Sequence, residues 1–117
     1  MNEQALETHI SEPHQEDAFT LISELERNPN LTQRELSARM DVSFGKINYL
    51  LNSLVKKGIL KVKNFSQHGG KVGKVKYLLT PRGIEAKVRL TWKFLKKKEI
   101  EYEKLKLEWA KLKRETL

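Results

Sequence analysis

Cysteine is absent from this 117-residue chain, and long apolar runs are missing as well. Without cysteine the chain has no disulfide framework, no thiolate zinc site and no cysteine redox switch. No stretch reaches the roughly 18 consecutive apolar residues of a membrane span. The N-terminus also lacks the basic start and apolar middle of a signal peptide. These absences predict a cytoplasmic protein with no membrane partner.

Acidic residues are missing from the centre of the chain. Between Val42 and Ile84 there is no Asp or Glu, yet there are nine Lys or Arg. Residues 1–30, in contrast, hold seven acidic residues and one basic residue, Arg27. A basic stretch of this length inside foldable sequence indicates a surface that binds a polyanion. The alternative is a chance cluster in a lysine-rich chain whose formal net charge is +8.

Apolar spacing and capping signals predict three helices before residue 60. The first follows from the helical spacing of Ala18, Leu21, Ile22 and Leu25, with Pro13 suited to its start. Thr32 and Glu35 have the spacing of a capping box, which predicts a second, short helix. Ser43 can cap a third helix, and Gly58 can end it in a left-handed conformation.

Two strands and a long helix complete the predicted elements. The strands are LKVKNF at 60–65 and VKYLL at 75–79, and Leu60 and Val62 share one face of the first. Thr80 and Pro81 suit the start of a final helix, with Leu79 and Ile84 at hydrophobic-staple spacing. No helix breaker follows Gly83, so this helix is a rod of roughly 50 Å.

The final helix carries a 4-3 apolar pattern, which is typical of a coiled coil. Thr91 and Lys98 are polar interruptions that weaken the seam or set its register. We therefore predict a homodimer whose contacts are made by Val88, Leu95, Tyr102, Leu105, Trp109 and Leu112.

The order of the elements predicts a mainly α fold with a small β-hairpin (α+β), namely a winged helix-turn-helix followed by a long C-terminal coiled-coil helix. We expect a polar acidic leader at 1–12 that is disordered, a DNA-binding domain at 13–80, and a dimerisation helix at 81–117. Apolar residues make up only 38% of the chain, so the core should be modest.

The third predicted helix has one polar face without a single acidic residue. In a helix-turn-helix this helix lies in the DNA major groove, with its N-terminal half toward the base edges. Asn can pair with adenine, Lys can donate to guanine, and Gly lets the backbone approach closely. The alternative is that the face is merely solvated. The predicted DNA-binding residues are Thr32, Gln33, Ser43, Phe44, Gly45, Lys46, Asn48, Tyr49, Asn52, Lys56, Lys63, Lys71 and Lys74.

The loop SQHGGKVGK between the strands permits two interpretations. Lys71 and Lys74 can reach phosphate or the adjacent minor groove, or they can protect an exposed strand edge against aggregation. A nucleotide-binding loop is excluded, because the spacing from Gly69 is one residue short and Val75 replaces the required Ser or Thr.

Nothing in the sequence indicates catalysis or metal binding. His9 and His14 lack the i, i+4 spacing of a helical metal pair, and His68 lies in the glycine-rich loop. No pair of carboxylates has a spacing that suggests an active site. We expect no cofactor, no metal and no enzymatic activity.

The segment LTQRELSARMDVSFGKINYLLNSLVKKGIL followed by YLLTPRGIEAK resembles the MarR-type winged-helix transcription regulators. It is similar in particular to a compact bacterial subgroup associated with exopolysaccharide gene clusters, and the resemblance covers about residues 15–115. It implies a DNA-binding regulator, with a palindromic operator, in which Ser43, Phe44, Lys46, Asn48 and Tyr49 read DNA. Typical members frame a ligand pocket with several terminal helices. Here one long helix follows the wing, which argues against a small-molecule effector.

Two other functions are compatible with parts of the pattern. A winged-helix module could bind protein, using the basic C-terminal helix as a docking rod, although its exposed face would then be apolar. The lysines around residues 96–98 could instead lie on an anionic membrane. The apolar seam favours a partner helix over a membrane. So do the glutamates interleaved with the lysines, which are Glu99, Glu101, Glu103 and Glu108.

Overall fold

The computed structural model describes residues 12–65 and 74–117, which form four helices and one antiparallel hairpin. The predicted fold class is confirmed. The acidic leader, apart from Glu12, lies outside the described residues, and so does most of the loop between the strands. The elements are α1 (Glu12–Arg27), α2 (Gln33–Met40), α3 (Phe44–Lys56), β1 (Leu60–Phe65), β2 (Lys74–Leu79) and α4 (Pro81–Thr116).

Side-chain caps set the starts of α2 and α3. Thr32 Oγ1 accepts a hydrogen bond from the Glu35 amide, and the Glu35 carboxylate accepts one from the Thr32 amide. This reciprocal pair is the predicted capping box, and it satisfies two amides that a helix start leaves without partners. Ser43 caps α3 by accepting from the Lys46 amide at 3.1 Å. The turn between them includes Asp41 in the left-handed region, at φ 54°.

The end of α3 is the predicted glycine stop. Gly58 has φ 75°, which a residue without a Cβ adopts at little cost. The Ile59 amide donates to the Leu54 carbonyl at 2.9 Å, and the Gly58 amide donates to the Val55 carbonyl at 3.0 Å. This pair of bonds is a Schellman motif, and the buried Ile59 supplies the apolar contact that accompanies it.

Thr80 connects the end of α3 to the start of α4. Its hydroxyl donates toward the carbonyls of Gly58 and Ile59, at 2.5 and 3.1 Å, and accepts from the Gly83 amide at 2.9 Å. Thr80 is therefore the predicted cap of α4, and it also holds the chain reversal after α3.

The core lies among the first three helices, β1 and the first turns of α4. Two apolar residues at predicted packing positions are exposed. Val62 shares a face with the buried Leu60 but remains 44% exposed. Ile84, which the sequence places at hydrophobic-staple spacing from Leu79, is 54% exposed. The buried apolar residues are Ala18, Leu21, Ile22, Leu25, Leu31, Leu36, Ile47, Leu50, Leu51, Leu54, Ile59, Leu60, Ala86 and Leu90.

The chain divides into two compact units, one up to Lys87 and one from Val88 to Leu117. The first contains the winged helix and the first turns of α4. The second consists of the rest of α4, in which nearly every described side chain is exposed.

Gly83 is required by a close backbone approach. A Cβ at this position would lie 2.2 Å from the Ile59 carbonyl oxygen and 2.8 Å from Leu79 Cδ1. Gly83→Ala is therefore expected to lower the free energy of unfolding by about 1–3 kcal/mol, although alanine favours helices. Gly45→Ala is the matched control, because a Cβ there meets nothing within 4 Å. Urea unfolding of both variants tests this, and equal stability of the two would contradict it.

Candidate nucleic-acid interface

Helix α3 has a sealed apolar side and an exposed polar side. Ile47, Leu50, Leu51 and Leu54 are buried against the rest of the domain. Tyr49 and Phe44, on the polar side, are 53% and 50% exposed. We define the α3 outer face as Phe44, Gly45, Asn48, Tyr49, Asn52 and Lys56, all of which are exposed. The structure thus brings six of the predicted DNA-binding residues together on one accessible surface.

Lys46 differs from its neighbours on α3 because its charge is already paired. Its Nζ lies 2.5 Å from Oδ2 of Asp17 on α1, and the two side chains are only 30% and 32% exposed. Lys46 was among the residues predicted from the sequence, whereas Asp17 was not. Helical spacing does not show which side chain of α1 meets α3, so no local signal could have found it.

Three other predicted residues have structural roles at the same surface. Thr32 and Ser43 use their hydroxyl oxygens as caps, which leaves the hydroxyl hydrogens able to donate to a phosphate. The Gln33 amide makes a long contact of 3.5 Å to the Tyr77 hydroxyl, which connects α2 to β2. Tyr77 was not among the predicted residues.

Two aromatic side chains of the α3 outer face contact residues of other helices. The Arg34 guanidinium lies 6.0 Å from the centre of the Phe44 ring, at the outer limit of a cation–π contact. The His14 ring lies 5.5 Å from that of Tyr49, tilted by 60°. Arg34 was also missed, although its place beside Gln33 at the start of α2 was a usable signal.

The hairpin presents lysines from both strands. Lys63 and Lys76 are directly opposite in the register of β1 and β2. Like charges directly opposite each other are unfavourable in a strand pair. Lys63 was predicted, whereas Lys76 was not. Lys71 lies outside the described residues, and Lys74 is described only as the first residue of β2, paired with Phe65.

The second unit carries the predicted dimer seam as an exposed apolar stripe. Its members are between 45% and 68% exposed: Val88, Leu95, Tyr102, Leu105, Trp109 and Leu112. Lys98, a predicted polar interruption, pairs with Glu101. Lys96–Glu99 and Lys106–Glu103 are further ion pairs three residues apart on the same helix.

Within residues 12–65 and 74–117, no group of three or more His, Asp or Glu side chains is placed to hold a metal ion. None of the helices in this described part of the chain is long and apolar enough to cross a membrane.

Comparison with known proteins agrees with this geometry. Residues 19–61 match the family model for winged helix-turn-helix DNA-binding domains. The PcaV transcriptional regulator from Streptomyces coelicolor is similar with a TM-score of 0.66 and 19% identity, over 96% of this chain and 87% of that one. A second structure of PcaV, in complex with its natural ligand, has a TM-score of 0.65 and 19% identity, over 92% and 77% of the two chains.

A DNA complex is also among the similar structures. The S. aureus MepR–DNA complex has a TM-score of 0.55 and 19% identity, over 94% of this chain and 81% of that one. No curated protein sequence is significantly similar to the chain. At these identities the similarity establishes the fold. The chain therefore has the winged-helix fold seen in MarR-type transcription regulators, and its residues 19–61 match the model of a winged helix-turn-helix DNA-binding domain.

Proposed function

We propose that the protein is a sequence-specific, double-stranded DNA-binding transcription regulator that represses its target genes. It binds with α3 in the major groove and the wing, residues 66–74, on the backbone or in the minor groove. The observation that carries the proposal is the α3 outer face, which is exposed, polar and free of acidic residues. MepR has the same fold and forms a complex with DNA, which supports the same role for this domain.

Chemistry on the α3 outer face is suited to reading bases. Asn48 and Asn52 can each pair with the two polar atoms of adenine in the major groove. Tyr49 and Phe44 offer apolar area for a thymine methyl group, and Gly45 permits close approach because nothing crowds its Cα. Lys56, in the last turn of α3, is better placed for a phosphate.

The regulator acts as a homodimer through α4. The seam residues would leave a large apolar stripe in water on a single chain, and burial against the same stripe of a second copy removes it. Twofold symmetry of the protein then requires a palindromic operator. On the strength of the sequence resemblance, we further propose that the protein is bacterial and cytoplasmic and acts at exopolysaccharide genes. The single long helix after the wing argues against an effector pocket.

The test is a selection followed by a binding assay. The wild-type protein selects from a library of random duplexes, and the tightest duplex recovered is the operator probe. A shuffled duplex of the same length and composition is the reference. We expect discrimination of roughly 10³-fold or more, and a palindromic footprint. Equal affinity for both duplexes across a salt series would overturn the proposed function.

The wing lysines are expected to bind phosphate rather than read sequence. Lys71→Ala with Lys74→Ala should weaken binding to the operator probe and to shuffled DNA by similar factors. The salt dependence should also flatten by about 0.9 log unit for each lost contact. Lys104→Ala with Lys111→Ala, on α4, is the charge-matched control. If affinity for the operator probe alone fell, the wing would be reading bases.

A further inference from the structure

Two side chains of α1 lie against two of the predicted DNA-binding side chains of α3. The His14 ring contacts the Tyr49 ring at 5.5 Å, and the Asp17 carboxylate contacts the Lys46 ammonium at 2.5 Å. Each pair of residues is three positions apart on its helix, and the contacts run in opposite directions along the two helices. The first turns of α1 thus support the start of α3 at two points.

The Asp17–Lys46 pair is more constrained than an ordinary surface ion pair. Both side chains are about two-thirds covered, so solvent screens their attraction less than it does for the pairs on α4. Lys46 also lies in the first turn of α3, where the helix dipole disfavours a positive charge. The carboxylate of Asp17 offsets that cost, so it favours the paired arrangement in the free protein.

A lysine in this position is otherwise expected to bind phosphate on any duplex. Each such contact releases counterions regardless of base sequence, so it strengthens binding to DNA that is not an operator. On non-operator DNA no base contact fixes the position of α3, so a freed Lys46 can settle on whichever phosphate lies nearest. At the operator the base contacts fix α3, which limits the gain from an added phosphate contact. Because Lys46 is paired with Asp17, it does not bind the phosphates of DNA of any sequence. Recognition is then made by the α3 outer face.

We propose that Asp17 is a specificity-determining positioning residue, which acts by holding Lys46 away from the phosphates of non-operator DNA. The proposal rests on the proposed function, because it presupposes that α3 lies in the major groove. It assigns a role in DNA discrimination to α1, a helix whose sequence pattern indicates only a contribution to the core.

Asp17→Asn tests this with a nearly isosteric change. Affinity for the shuffled duplex should rise by roughly fourfold at about 0.2 M salt, the value of one new phosphate contact, and its salt slope should steepen by about 0.9. The operator probe should gain less, so the ratio of the two affinities falls. Asp17→Glu keeps the carboxylate and should retain the wild-type ratio.

Glu26→Gln is the matched control for the lost negative charge. Glu26 lies on the same helix and pairs with Lys87, away from α3. Its neutralisation should raise both affinities slightly and equally, with no change in the ratio. If Asp17→Asn behaves no differently from Glu26→Gln, the effect is one of net charge and the proposal is wrong.

A double-mutant cycle identifies the route of the effect. In a Lys46→Ala background, Asp17→Asn should no longer change the ratio or the salt slope beyond the Glu26→Gln level. A change that persists without Lys46 would overturn the proposal while leaving the proposed function intact. Wild-type protein that fails to discriminate the operator probe from the shuffled duplex would overturn the proposed function, and this inference with it.

Discussion

Replacing Ile47 by alanine is expected to lower the free energy of unfolding by about 2–5 kcal/mol. The Ile47 side chain is completely buried beside Leu50, Leu51 and Leu54. Alanine would leave a cavity that the neighbouring helices cannot fill without moving. Urea or thermal unfolding measures the loss directly. Because α3 would still be the same helix when folded, the ratio of operator to shuffled affinity should stay close to that of the wild type under stabilising conditions.

Asn48→Ala, one residue further along, should have the opposite profile. Asn48 is exposed, so its loss should change stability by no more than about 0.5 kcal/mol. If its amide pairs with a base, the same change should cost about 1–3 kcal/mol of discrimination between the operator probe and shuffled DNA. Measuring the melting temperature and the ratio of operator to shuffled affinity for both variants distinguishes a residue that packs in the core from one that reads bases.

A wider set of substitutions tests α3 itself. If Asn48→Ala, Asn52→Ala and Tyr49→Ala all left the specificity ratio unchanged, α3 would not be the reading helix. The winged-helix fold would stand, because it depends on the buried side of α3 and on its caps.

Leu105→Glu together with Leu112→Glu is expected to convert a dimer into a single 13.7 kDa chain. Two glutamates in the seam would have to lose their hydration without gaining partners, which costs more than the association supplies. Operator affinity should then fall by about 10²–10⁴-fold, because binding of one DNA-binding domain no longer holds a second domain near the other half-site. Sedimentation equilibrium at micromolar concentration measures the first effect and the operator assay the second.

Ile100→Glu with Leu107→Glu is the matched control for the seam variant. These residues have the same spacing of seven on the same helix and are 58% and 72% exposed. At about 100° per residue they lie on the side opposite the seam, so the dimer should survive. A wild-type protein that sediments as a single chain, or a dimer that survives the seam variant, would contradict the prediction.

The sequence by itself determined the secondary-structure elements and where the helices begin and end, because these depend on contacts between neighbouring residues. The capping box of Thr32 and Glu35, the Ser43 cap and the Gly58 stop each involve groups only a few residues apart. Such contacts form whenever the chain enters a helix, so their spacing alone predicts them. Helical periodicity likewise predicts that Ile47 is buried and Asn48 is exposed. The order of these elements was enough to identify the winged-helix fold.

Only the tertiary structure decided which distant residues meet. Periodicity shows that Lys46 and Asp17 are both polar positions, but it cannot show that the two are paired across α1 and α3. It shows that Leu60 and Val62 share a strand face, yet Leu60 is buried and Val62 is exposed. From the sequence, Gly83 is an ordinary helix residue, but in the structure the Ile59 carbonyl oxygen occupies the space that a Cβ at this position would need. Each of these facts depends on how packed elements approach one another in space, and sequence spacing does not encode that distance.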